Sequence, residues 1–177
     1  MIGIVLAAGM SSRFGECKQT YILDGKPLIR HVLDSLGQLI EVNVIVGHYE
    51  KEVRSVLPGF VSKILKNEHY KKGIGTSVQL AINYAKAKKE DLLLTLGDLV
   101  YVNREEYQRL ITNYKGKTTY SSFDDSYGPP CIIPYHVLNN LPILSEKIGL
   151  KGFIKDFDTV PIKNASKDID FLNDIFS

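Results

Sequence analysis

Ile2-Gly3-Ile4-Val5-Leu6-Ala7-Ala8-Gly9 opens the chain with a short apolar run that ends in small residues. Such a run reads as a buried strand entering a glycine-bearing loop. The same pattern recurs at residues 42–46 before Gly47, at 61–65 before Asn67 and at 91–96 before Gly97, each rich in Val, Ile or Leu. Helical patterns lie between them, at residues 27–36, 50–57 and 76–88. Parallel strands need crossover connections and are buried on both faces, so this alternation predicts a doubly wound α/β fold, a mostly parallel sheet with helices on both faces. Ligands of such sheets sit beyond the carboxyl ends of the strands. Residues 7–18, 67–77 and 97–100 are therefore expected on one rim. Beyond Asn113 the pattern is less regular, with a strand expected at 118–122, a turn around Gly128-Pro129-Pro130, and short helices at 135–140 and 149–157.

The chain has 177 residues, of which 44% are hydrophobic and 24% charged, with 14 Gly and 7 Pro. That composition is close to an average soluble domain and excludes a disordered, collagen-like or coiled-coil chain. A domain typically takes about 100–200 residues, so residues 1–177 are expected to form one domain. Lys and Arg number 22 against 20 Asp and Glu, a net charge of +2. This is far from the basic excess that a nucleic-acid partner demands, and any anion site must be local. Cys17 and Cys131 show neither a CxxC motif nor a Cys/His ligand spacing, which argues against a disulfide framework or a zinc site and fits a reducing, cytoplasmic setting. The N-terminus lacks a positive leader and no apolar run approaches the ~18 residues of a membrane span, so neither a targeting segment nor a membrane is expected.

The loop after the first strand carries the chemistry. In Ala8-Gly9-Met10-Ser11-Ser12-Arg13-Phe14-Gly15-Glu16-Cys17-Lys18, Gly9 lets backbone N–H groups approach an anion, Ser11 and Ser12 can donate to phosphate oxygens, and Arg13 with Lys18 can neutralise a polyphosphate. The blander reading is a solvated surface loop. The spacing matches neither a Walker A loop nor the Gly-x-Gly-x-x-Gly fingerprint. Cys17, beside Lys18, sits where a lowered thiol pKa is conceivable, and is read as incidental. Asp98, at the end of the 91–96 strand, is placed either to hold Mg²⁺ or to cap a turn. Gly73, Gly75, Thr76 and Ser77 precede a helix, where they can contact a ligand or serve as an ordinary cap.

The string Leu6-Ala7-Ala8-Gly9-x-Ser11-Ser12-Arg13-x-Gly15-x-x-Lys18 resembles the signature of the MobA-like nucleotidyltransferases, and especially their molybdenum cofactor cytidylyltransferase branch. The resemblance continues through residues 67–77, Leu96-Gly97-Asp98, Gly128-Pro129-Pro130 and Asp168-Ile169-Asp170. It implies a Rossmann-like nucleotide-diphospho-sugar transferase fold and the transfer of a nucleoside monophosphate from an NTP to a phosphorylated acceptor, releasing pyrophosphate. Leu6, Ala7, Ala8, Gly9, Ser11, Ser12 and Arg13 would wrap the nucleotide, and Asn67, Gly75 and Thr76 would contact base and ribose. Lys18 would support the reacting phosphates beside Arg13 and Asp98, while Asp98 and Asp170 would hold Mg²⁺. Ala8, where the guanylyl-transferring branch has a second glycine, favours CTP. Molybdopterin is then the leading acceptor, with a transient contact to a molybdoenzyme or its chaperone implied.

Departures cluster on the acceptor side. Leu99-Val100 stands where Gly-Asp-x-Pro is common in the family, and Lys147 and Lys151 replace an Asp and an Arg; apart from these, Phe171-Leu172-Asn173 replaces Thr-Pro-Glu in the motif that carries Asp170. Two other readings stay open: transfer to a sugar, alditol or choline phosphate, and a nucleotide-binding accessory protein without turnover.

Overall fold

The computed structural model describes residues 1–144, 146, 150, 151 and 153–169. Asp170, expected from the sequence as a metal ligand, lies outside them. In chain order the elements are β1 (Ile2–Ala7), a small hairpin of β2 (Ile22–Leu23) and β3 (Lys26–Pro27), α1 (Leu28–Leu36), β4 (Glu41–Val46), α2 (Glu50–Val56), β5 (Lys63–Lys66), α3 (Ile74–Lys88), β6 (Leu92–Leu96), α4 (Arg104–Asn113), β7 (Thr119–Phe123), β8 (Ser126–Ile133), α5 (Tyr135–Asn140) and β9 (Asp158–Pro161). Seven strands form one sheet in the order β5-β4-β1-β6-β8-β7-β9. The pairs β4/β5, β1/β4, β1/β6 and β7/β9 are parallel, and β8 runs antiparallel to both β6 and β7.

Alternation along the strands sorts the core into two layers. Ile2, Ile4, Leu6 and Ala8 point to the face covered by α3 and α5, where they pack with Val78, Ala81, Ile82 and Leu138. Val5 and Ala7 point to the opposite face, against Leu28, Val32 and Leu36 of α1 and Tyr107 and Leu110 of α4. A strand buried on both faces must be apolar at every position, which is why β1 reads as an uninterrupted run. Among the described residues no helix is long and apolar enough to cross a membrane.

Three features differ from the sequence expectation. Helix α4 was passed over by the apolar pattern because its exposed face is charged. Its start is instead fixed by a capping box, in which the Asn103 side chain accepts from the Glu106 N–H and the Glu106 carboxylate accepts from the Asn103 N–H. Gly128-Pro129-Pro130 does not turn the chain but lies inside β8. Tyr120 pairs with Cys131 and Ser121 with Gly128, so both prolines fall in a bulge where no ladder N–H is required. The hairpin turn comes earlier, at Asp124 and Asp125. The described residues within 149–157 form turns and bends and no helix.

Two buried groups make this interior testable. Tyr107 is fully buried and its hydroxyl lies 2.9 Å from that of Thr95. Tyr107→Phe leaves the Thr95 hydroxyl without its partner and is expected to cost about 1–3 kcal/mol in urea unfolding, whereas adding Thr95→Val recovers much of the loss. Cys131, on β8, is also buried, and desolvation pushes its thiol up to about 12. The thiol therefore ionises first in the unfolded chain, near pH ~8.5. Stability present below that pH is expected to fall as pH rises through it, and Cys131→Ala should flatten that decline in pH-dependent urea melts.

Candidate active site

The end of β1 is where the sheet becomes a site. Gly47 follows β4 and Gly97 follows β6, the two strands that flank β1. A Cβ on Gly47 would lie 2.5 Å from the Ala8 carbonyl oxygen and 2.9 Å from the Tyr70 Cβ, so only glycine lets β4 end this close to the loop. The Gly97 N–H donates to the Leu6 carbonyl at 2.9 Å. Beyond this point residues 8–17 form a loop that turns at Ser11, whose carbonyl accepts from the Phe14 and Gly15 N–H groups at 2.9 and 3.1 Å. The Ser11 hydroxyl accepts from the Lys18 N–H at 3.3 Å. Phe14 anchors the loop in the core and meets Tyr21 edge-on, with ring centroids 5.4 Å apart.

A cleft of about 340 Å³ opens above this edge. Leu6, Ala8, Gly9, Ser11, Ser12, Arg13, Lys18 and Asp98 all line it. Ala7 does not, because strand alternation turns its methyl into the opposite layer. Asn67, Gly75 and Thr76 line an adjoining groove instead. Asn67 works there as a local brace: its amide donates to the Thr76 and Ser77 hydroxyls at 2.9 and 2.8 Å and accepts from the His69 N–H at 2.9 Å. Helix α3 begins at Ile74, earlier than its sequence pattern suggested, and the Gly75 N–H donates to the Glu146 carbonyl at 3.0 Å. Tyr70, Gly73, Ile74 and Ser77 face the main cleft in their place, with Gln19, Phe14 and Leu96. Tyr70 and Ile74 fall within the stretch singled out by its glycines. No sequence signal marks which of its residues face the cleft, because that depends on where α3 starts.

The charged centre of the cleft is compact. The Lys18 ammonium lies 2.7 Å from Asp98 Oδ2 and donates also to the Ile169 carbonyl, with both charged side chains largely buried. The Ile169 N–H in turn donates to the Asp98 carbonyl at 3.4 Å. The second carboxylate oxygen, Asp98 Oδ1, is shielded from solvent and has no hydrogen-bond partner among the described residues. A buried orphan carboxylate oxygen suits a hard divalent cation, which takes oxygen ligands from one or two carboxylates and completes its shell with phosphate and water. Cys17, two residues from Gln19, is buried, and desolvation raises its thiol rather than lowering it. That direction is opposite to the one an activated thiol requires.

Comparison with known proteins places the chain in a family. The first curated relative, a bifunctional protein GlmU from Pseudothermotoga lettingae, is 33% identical over 114 residues that make up 63% of this chain but only 25% of that protein. The chain thus spans about a quarter of the length of such relatives. A probable molybdenum cofactor guanylyltransferase from Thermococcus sibiricus is 33% identical over 121 residues, covering 67% of this chain and 58% of that protein. Among solved structures, Rv0371c from Mycobacterium tuberculosis superposes with a TM-score of 0.81 at 20% identity, over 98% of this chain and 93% of the other. The sequence profile of the MobA-like NTP transferase domain matches residues 3–161, from the first strand of the sheet to its last, and the chain belongs to that family.

Proposed function

We propose that the chain transfers a nucleoside monophosphate from an NTP to a phosphorylated acceptor and releases pyrophosphate. The observation that carries this reading is the meeting of Lys18, Asp98 and the Ser11-Ser12-Arg13 loop in one cleft at the carboxyl edge of the sheet. The triphosphate lies along the loop, where Arg13 and Lys18 supply positive charge and Ser11, Ser12 and backbone N–H groups supply donors. An oxygen of the acceptor phosphate attacks the α-phosphorus in line, forming the new P–O bond as the bond to the β-phosphate oxygen breaks. Pyrophosphate leaves with that electron pair. The acceptor oxygen is already ionised at neutral pH, so no side chain need remove a proton, and catalysis rests on positioning and charge stabilisation. Asp98, and Asp170 as the family resemblance implies, would hold Mg²⁺, which would supply further neutralisation of the phosphate charge.

CTP is the favoured donor. Ala8, which lines the cleft, stands where the guanylyl-transferring branch of the family has a second glycine, and that resemblance favours a pyrimidine nucleotide. The name of the Thermococcus relative supports a molybdenum-cofactor acceptor and speaks for GTP as the competing donor. Molybdopterin is the acceptor we favour, in a single domain spanning residues 1–177.

Thermal unfolding with CTP, GTP, ATP or UTP, each with and without Mg²⁺, tests the nucleotide half without any acceptor. A ligand at ~100 times its dissociation constant adds roughly 2.7 kcal/mol to the native state, and the expected result is a Mg²⁺-enhanced shift that is largest with CTP. A larger shift with GTP would move the donor, and no shift at millimolar nucleotide would overturn the reading. Pyrophosphate release with molybdopterin tests the second half, and nucleotide binding without release would favour an accessory protein. Lys18→Ala is expected to lower turnover by on the order of 100-fold or more, since one charge-stabilising donor is lost. A circular dichroism spectrum like that of the parent protein would show that the fold survives.

A further inference from the structure

The segment that brings Ile169 to the Lys18–Asp98 pair is held at a second point, outside the cleft. Glu106, in the first turn of α4, is 6% exposed and does not line the cleft. Its Oε2 accepts the Asn103 N–H at 3.2 Å, which closes the capping box. The same carboxylate also accepts both N–H donors of residue 164: the Asn164 backbone N–H at 3.3 Å and the Asn164 side-chain amide at 3.1 Å. The cap requires only the exchange between Asn103 and Glu106, so the two bonds to Asn164 add nothing to the start of α4. They fix the C-terminal segment.

Farther along that segment, Ile169 is fully buried and is stitched to Asp98 and Lys18 through its N–H and carbonyl. The chain from the end of β6 to the first turn of α4 therefore grips the segment twice, at Asp98 and at Glu106, while Ala165 packs into the core between the two points of attachment. Loss of a group that orients the oxygens around a cation, without touching the cation, typically costs about 10–100-fold in affinity.

We propose that Glu106 is a positioning residue: through Asn164 it sets where the C-terminal segment meets Asp98 and Lys18, and thereby the affinity of that centre for a divalent cation. This rests on the reading of Asp98 as a metal ligand.

The test is Mn²⁺ binding to the full chain, followed by electron paramagnetic resonance, together with thermal unfolding, for the parent protein, Asn103→Ala, Asn164→Ala, Glu106→Gln and Asp98→Asn. Asn103→Ala removes only the helix cap and is expected to lower the melting temperature with the Mn²⁺ dissociation constant unchanged. Asn164→Ala leaves the cap in place and is expected to raise that constant roughly tenfold, with little loss of melting temperature. Glu106→Gln should show both effects. In turnover assays, Asn164→Ala should raise the Mg²⁺ concentration giving half-maximal rate while kcat at saturating Mg²⁺ is retained. An unchanged Mn²⁺ constant in Asn164→Ala overturns the inference, as does a rise in Asn103→Ala that merely tracks lost stability. If the parent protein shows no Mn²⁺ site that Asp98→Asn removes, the metal reading itself fails and takes the inference with it.

Discussion

A lysine ammonium drawn out of water needs partners on several sides, and Lys18 finds them in the Asp98 carboxylate and the Ile169 carbonyl. Its desolvation is tolerable only where both oxygens are in place. Three segments far apart in sequence must converge to supply them: the loop after β1, the end of β6 and the C-terminal segment. The pair is therefore weak evidence of stability and strong evidence of organisation, because it places charge where a polyphosphate would lie. Asp98 Oδ1 finds no partner among the described residues, so one face of the carboxylate is not used by the pair.

The convergence depends on backbones that approach closely at the sheet edge. Gly47 brings the end of β4 against the Ala8 carbonyl, and Gly97 brings the end of β6 against Leu6. A side chain at the first position would push the two strand ends apart. The loop between Ala8 and Lys18 then springs from a fixed platform, pinned by Phe14 in the core and by the hydrogen bond from the Lys18 N–H to the Ser11 hydroxyl.

Most of the parallel half of the sheet was legible, because strands buried on both faces must be apolar without interruption and their helices carry a regular apolar stripe. The antiparallel part was less so. Helix α4 presents Arg104, Glu105 and Gln108 beside few apolar positions, and its clearest signal is the Asn103-x-x-Glu106 capping pattern rather than its periodicity. Pro129 and Pro130 suggested a turn because proline cannot serve a ladder. Their place in a bulge, with the Pro130 carbonyl accepting from the Ser121 hydroxyl at 2.6 Å, is a property of two strands together.

The sequence by itself determined the fold class, the loop that carries the cationic and hydroxyl groups, and the placement of Asp98 at a strand end. Each follows from local rules: alternation, apolar runs, and glycines at the points where chains must touch. Only the tertiary structure decided which members of the 67–77 stretch face the cleft. It left Asn67 and Thr76 bracing one another in the next groove. It also decided that Glu106, legible in the linear pattern only as half of a helix cap, holds as well the segment that reaches Lys18. The physical reason is the same in each case. Facing is set by the rotation of an element about its axis, and contact by the meeting of distant segments, and neither quantity is encoded in the spacing of residues along one chain.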